Sequence, residues 1–539
     1  MGLRQRAGVM YSLLLGLNLL GCGETSSTKV TVPDPMPPDM VTFHNDVSRS
    51  GQNLNETILT HQNVNVNTFG KVGFFAVDGK VDAQPLFLAN VNIPGQGPRP
   101  TLYVATEHGT IYAFDADTGE PLWSTSLLGA GEVPSDPRSC LITPEIGITA
   151  TPVIDRTRGP NGAIYAVAMS KDIAGNYHQR LHALDVTSGA ELFGGPQEIS
   201  ASFPGTGDNS SGGVVIFDPK QYKERAALLL LNGVIYTTWA SHCDVRPYTG
   251  WIIPYDATTL QQEHVLNLTP NGNDGAIWMS GGGPAADTAG NIYLLDGNGT
   301  FDQTLDARGF PSQGNFGNAF LRLSVVSGSM VVTDYFQSPN VAAENVDDLD
   351  LGSGGAMLLP DLQDAHGKTW HLAVGAGKAG DIYVVNRDSM GGFNPTSQTA
   401  LQVLPQAVAG GVFSTPAYFN NTVYYAAIND YMKAFSIGNG QLIPVPIGHT
   451  PTGFVYPGAT PSISANGTKD AILWAVENGH SAKLHAYDAN DLSHELYNSD
   501  QAPLLRDQLG PGNKFIVPTV VGGKVYVGTT YGVTVYGLR

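Results

Sequence analysis

Between Thr101 and Trp123 the chain reads T-L-Y-V-A-T-E-H-G-T-I-Y-A-F-D-A-D-T-G-E-P-L-W. Two runs of apolar and β-branched residues flank the break Glu107-His108-Gly109. The second run ends in the turn Asp117-Thr118-Gly119, and a third run closes on Trp123. Short alternating runs separated by Gly- and Asp-bearing breaks predict a meander of antiparallel strands. A meander alone has two unpaired edges and too little core to stand by itself, so copies of it are expected along so long a chain.

Copies follow at Ala163 to Gly189, Val234 to Thr258, Asn291 to Ser327, Trp370 to Asp388, Thr422 to Gly440, Ile472 to Asp491 and Lys524 to Leu538, eight units in all. A further short strand, often opened by a small residue and proline, precedes most of them, as at Ala83-Gln84-Pro85, Ala150-Thr151-Pro152, Gly283-Pro284, Thr415-Pro416, Thr460-Pro461 and Val517-Pro518. Proline is tolerated at a strand start, where no ladder donor is needed. No helical periodicity lies between the units. The pattern predicts an all-β fold, an eight-bladed β-propeller of four-stranded antiparallel blades, with residues 41–539 as a single domain. The last unit runs out of chain after three strands, and the run Lys71 to Val77 belongs to no unit. That N-terminal strand is therefore expected to close the eighth blade from outside.

Ahead of the repeats, Arg4 and Arg6 precede an apolar run from Val9 to Leu20, too short to span a bilayer, that ends in Leu19-Leu20-Gly21-Cys22. This head resembles a bacterial lipoprotein signal. The resemblance implies a signal peptide over 1–21, lipidation of Cys22 and attachment to the cell envelope; Gly23 after the cysteine points to the outer membrane. Residues 22–40, rich in Ser, Thr and Pro, read as a flexible tether. The net charge of −19 argues against nucleic acid or anionic lipid as a partner. Cys140 and Cys243 are not spaced as a metal site, and an oxidising envelope permits their pairing without requiring it.

Chemistry in a propeller gathers where loops converge on the central channel. The breaks there carry Glu107 and His108, Lys171 and Asp172, His242 and Asp244, Asn298, Lys378, Asn429 and Asp430, and Asn478 and His480; the lead-ins to the first strands carry Glu145, Trp278, Asp347 and Asp350. Each of these is, as a bland alternative, a loop polar group satisfied by its own turn. There is no G-x-S-x-G, H-E-x-x-H, phosphate loop, dinucleotide fingerprint or C-x-x-C-H.

The unit pattern A-x-D-x-x-T-G-x-x-x-W at Ala113 to Trp123 is similar to the repeat of the quinoprotein alcohol dehydrogenases, propellers that use pyrroloquinoline quinone (PQQ) and calcium. The same repeat occurs in non-catalytic propellers, so it speaks for fold before activity. Three stretches extend the resemblance. Ser280-Gly281-Gly282-Gly283 through Gly297-Asn298 resembles the segment whose asparagine coordinates calcium, which implies Asn298 as a metal ligand. Asn345 to Asp350 resembles the acidic segment that holds the catalytic aspartate, which implies Asp347, with Asp350 as the alternative. Gly377 to Arg387 resembles the segment whose cation contacts the quinone, which implies Lys378. Trp278 stands two residues from the position of the family's stacking tryptophan. Lys171 and Asp172 occupy the break of its calcium-binding glutamate, leaving Asp172 as a second metal candidate and Glu145 as a further cofactor contact. The family's adjacent cysteine pair has no counterpart. Three functions stay open: a PQQ- and calcium-dependent oxidoreductase acting on an alcohol or sugar, a scaffold for a protein or glycan partner, and a carbohydrate-active lyase or hydrolase.

Overall fold

A computed structural model of the protein describes residues 36–137 and 142–539. Residues Pro37–Arg539 form one compact unit. The expected signal peptide, Cys22 and most of the tether lie outside the described residues, as does Cys140. Among the described residues no helix is long and apolar enough to cross a membrane.

The meander read at Thr101 to Trp123 is three strands of a four-stranded sheet, Leu86–Ile93, Gly97–Ala105, Thr110–Asp115 and Pro121–Ser126, each antiparallel to the one before. Sheets of the same build follow, opening with Val153–Asp155, Leu229–Leu231, Ala285–Ala286, Met357–Leu358, Ala417–Phe419, Ser462–Asn466 and Thr519–Val521. Their second and third strands are the continuously apolar runs of the sequence. Ala163–Lys171, for instance, is buried up to its last residue, because both of its faces are covered by neighbouring sheets. Small insertions interrupt the series, such as the three-stranded sheet of Ser202–Pro204, Ser210–Ser211 and Val214–Ile216.

The last sheet is completed by the N-terminal strand Phe69–Ala76, which pairs antiparallel with Gly532–Leu538. The expected closing run Lys71 to Val77 thus does close it, two residues longer at its start. Phe69 is fully buried and packs edge-on against Tyr497 at 5.0 Å, so the closing strand also cements the preceding sheet.

Residues 41–56 open the expected domain, and together with Met40 they form something more specific. This segment hydrogen-bonds the first strand, or its head, in every one of these sheets. Phe87, Ile154, Ala286, Leu358, Tyr418 and Ile463 donate their amides to the carbonyls of Met40, Val41, Val47, Ser48, Ser50 and Gly51. Arg49 Nη2 donates to the Leu228 carbonyl, and Asn53 Nδ2 to that of Val520. First strands that all reach one 17-residue stretch surround it, so the segment is a hub along a common axis. Arg49 is wholly buried there, donating also to the carbonyls of Phe43 and Pro284 and the hydroxyl of Thr42. Burial lowers its pKa to about 10, so it stays charged at neutral pH.

Candidate functional site

The hub fills the axis beside the first strands; the loops leading into those strands are left to enclose a cavity. It measures about 420 Å³ and is lined by residues a few positions ahead of the first strands: Lys80 and Asp82, Lys223 and Arg225, Ala276 and Trp278, Asp348, Phe413, Tyr456, and Lys514 and Phe515. Ser241, Cys243, Asp244 and Lys378 join them from hairpin turns. Strained backbone occurs at and beside this lining. Cys243, Asp244, Met279, Ser280 and Phe515 all have positive φ without being glycine, a conformation that persists only where the surroundings enforce it.

Two groups of charge face this space. In the first, Lys378 Nζ lies 2.7 Å from Asp348 Oδ1 and 2.6 Å from Asp350 Oδ2. Asn298 donates its amide nitrogen to Asp350 Oδ1 at 2.6 Å and its Nδ2 to Asp348 Oδ1 at 3.0 Å. Gly377 makes this possible: a Cβ there would strike the Asp350 carbonyl, which accepts the Lys378 amide at 2.8 Å. Burial pushes the Asp350 carboxyl up, against the pull of Lys378. Burial also opposes the charge on Lys378, but Asp350 and Asp348 outweigh it and hold its pKa above the ordinary lysine value. The Trp278 ring lies beneath the same ammonium at 5.9 Å and against Phe413 at 6.0 Å.

The second group is basic. Lys223 is half-buried and Arg225 buried; burial, then repulsion by Arg225, lowers Lys223 to about 8, and burial lowers Arg225. Arg225 stacks on Phe515 at 5.2 Å, and Lys514 on Tyr456 at 4.8 Å. Lys80 pairs with Asp82 at 2.8 Å, and behind them the wholly buried Glu107 accepts from the Gly147 amide and the Thr149 hydroxyl.

Of the residues singled out in the sequence, Asp244, Lys378 and Trp278 line the cavity, and Asp350 and Asn298 join Lys378 from behind it. Asp347 does not: it ends the short helix Val341–Val346 and does not line the cavity, whereas its equally exposed neighbour Asp348 does. Asp172 is not at the cavity either. The strands Ala163–Lys171 and Tyr177–Asp185 extend far enough to carry their turn outward, where Asp172 is spent on Asn176. Glu145 is held by His108 Nδ1 at 2.9 Å and does not line the cavity. Cys243 lines it and is disulfide-bonded, its partner lying outside the described residues. The basic and aromatic lining, Lys80, Lys223, Arg225, Phe413, Tyr456, Lys514 and Phe515, was not singled out. Its one sequence signal is a shared position just ahead of a first strand.

These blades, hub and axial cavity can be set beside known proteins. Residues 80–192 match the family described as outer membrane protein assembly factor BamB, a PQQ-repeat family. Over nearly its whole length the chain superposes on solved quinoprotein dehydrogenases. It carries the PQQ-repeat propeller fold. The quinohemoprotein alcohol dehydrogenase of Comamonas testosteroni is 14% identical over 94% of this chain and 81% of its own, with a TM-score of 0.61. That of Pseudomonas putida is 13% identical over 93% and 80%, also at 0.61. A europium-containing methanol dehydrogenase is 12% identical over 93% and 98%, at 0.59. No curated protein matches the chain by sequence. At such identities the PQQ-repeat propeller fold is what the chain shares with them; what its cavity holds has to be argued from its own residues.

PQQ is planar and carries three carboxylates. Five cationic side chains and four aromatic rings around one cavity suit it. Calcium is less well served. The Asn298 Oδ1 atom is buried and receives no hydrogen bond, which offers one amide oxygen. The two carboxylates beside it are already neutralised by Lys378, and among the described residues no group of three His, Cys, Asp or Glu side chains is placed to hold a metal.

Proposed function

We propose that residues 41–539 form one eight-bladed ring, closed by Phe69–Ala76, that binds PQQ in its axial cavity and oxidises an alcohol or sugar hydroxyl. The chain is tethered to the bacterial outer membrane through a lipid on Cys22. One observation carries the reading: a protein of net charge −19 places five cations, Lys80, Lys223, Arg225, Lys378 and Lys514, against three carboxylates, Asp82, Asp244 and Asp348, around one aromatic-lined cavity. Such a local reversal of charge recruits an anion. The likeness to the quinoprotein dehydrogenases supports the choice of anion.

When bound, the quinone supplies the electron acceptor. The chain's own residues do the rest. The basic group holds the carboxylates, Trp278 and Phe413 cover the rings, and Lys378 Nζ donates to an oxygen that gains negative charge. Asp350, in its ionised form, accepts the hydroxyl proton at Oδ2, next to Lys378. No step is assigned to calcium.

Titrating the purified protein with PQQ, followed by visible absorbance and calorimetry, tests the binding. Asp350→Asn should keep PQQ binding and lose dye-linked oxidation of alcohols and sugars. Absence of PQQ binding, with and without calcium, would overturn the reading. The pairing of Lys378 with both carboxylates favours a second reading, a binding propeller that does no chemistry; PQQ binding without turnover on any alcohol or sugar would select it.

A further inference from the structure

The basic end of the cavity contains a feature that binding an anion does not explain. Asp82 and Glu107 are both held by Lys80: its Nζ lies 2.8 Å from Asp82 Oδ2, and its carbonyl accepts the Glu107 amide at 2.9 Å. Both are buried, and each has one oxygen, Asp82 Oδ1 and Glu107 Oε1, that is out of contact with solvent and receives no hydrogen bond from any donor. The other oxygens are well held. Asp82 Oδ2 has Lys80 Nζ at 2.8 Å, and Glu107 Oε2 has the Gly147 amide at 2.9 Å and the Thr149 hydroxyl at 3.0 Å. Those donors orient both carboxyl groups by one oxygen each and leave the other two without a donor, while Asp82 is the charge that acts most strongly on Glu107. Two ionised carboxylates in that position would be repulsive and unsatisfied, whereas one proton between them satisfies both.

We propose that Asp82 and Glu107 share one proton and form the general acid of the cavity, able to pass that proton to an anionic oxygen of the bound ligand. Asp82 lines the cavity and is the exit for the proton, whereas Glu107, behind it, is the reservoir. In the transfer an O–H bond of the pair breaks and one forms on the ligand. The pair is left as two carboxylates, and a proton from solvent at the cavity mouth restores it.

The charges around the pair bear on this balance. Lys80, Lys223, Arg225 and Lys514 surround it with positive charge, which favours release of the proton. Burial and the Asp82 charge favour keeping it and prevail, pushing the Glu107 carboxyl well up. Asp244 adds negative charge near Lys223; Asp78 faces away to the hydroxyls of Thr106 and Thr110, and His108 to Glu145. The inference rests on the cavity being the ligand site, and not on the ligand being PQQ.

The test needs no ligand. Infrared difference spectra of the whole protein between mildly acidic and alkaline pH should show protonated carboxyl bands that shift in heavy water; buried Glu224, Asp296 and Asp350 contribute to them as well, so the band of the pair is the one that Glu107→Gln removes. Glu107→Gln preserves the fold, because its amide oxygen keeps the Gly147 and Thr149 contacts while its amide nitrogen takes the place of the shared proton. The band should be lost in Glu107→Gln and, independently, in Asp82→Asn. A carboxyl spectrum that neither substitution changes, or a difference band that does not exchange with heavy water, would overturn the proposal. Failure of PQQ to bind would leave this result untouched, so the two readings fail separately.

Discussion

The hub makes Arg49 the residue whose loss should be felt throughout the ring. Replacing it with Ala removes a fully buried guanidinium from the axis and leaves the carbonyls of Phe43, Leu228 and Pro284 without its donors. Leaving a buried acceptor unsatisfied costs about 1–3 kcal/mol, so the three together cost roughly 3–6 kcal/mol after some repacking. Against a typical domain stability of about 5–15 kcal/mol, that is a large fraction. Arg49→Lys keeps the charge but not the planar fork that reaches carbonyls on different strands, and it should lose about half as much. Denaturant unfolding can be followed by the fluorescence of the buried Trp239, Trp251 and Trp474. Hydrogen exchange gives the sharper readout. The amides of Ile154, Leu358, Tyr418 and Ile463 all donate to the hub, although they belong to four different sheets, and Arg49→Ala should deprotect them together. A loss below about 1 kcal/mol, or protection unchanged at all four amides, would refute the hub as a stabilising element.

Other expectations follow from charge and from the head of the chain. Burial holds Lys223 at about 8, well below an ordinary lysine, so it sheds its charge as pH rises through that value. Affinity for PQQ should then fall by about tenfold for each positive charge lost, a drop that Lys223→Gln should flatten; affinity that rises with pH would contradict the basic subsite. Folding stability shows the opposite sign. The unfolded lysine holds its proton up to its ordinary value, so between about 8 and that value Lys223 contributes stability that increases with pH. Cys22→Ser should release the protein from the membrane fraction, and unchanged fractionation would remove the lipid anchor from the account.

Strand content, repeat and closure were legible in the sequence because they depend on neighbours a few residues apart. Alternation, turn glycines and strand-opening prolines are local, and a meander with open edges demands copies of itself wherever it occurs. The closing strand was legible for a related reason: Lys71 to Val77 was a strand without a unit, in a chain whose last unit lacked one. Lys378, Asn298, Trp278 and Asp350 were legible through motifs spread over neighbouring units. The choice of Asp348 over Asp347 was not, since it depends on where a six-residue helix ends and which carboxylate the following turn swings inward. The hub and the basic cavity belong to the tertiary structure alone. Lys80 and Lys514 are separated by most of the chain and face one space only because the ring closes, and the stretch from Met40 to Glu56 shows no role of its own in the sequence until first strands of the repeated sheets converge on it. The same closure removes Asp82 and Glu107 from water. Their sequence contains two ordinary acids; burial together, with one oxygen of each already held, is what makes them share a proton.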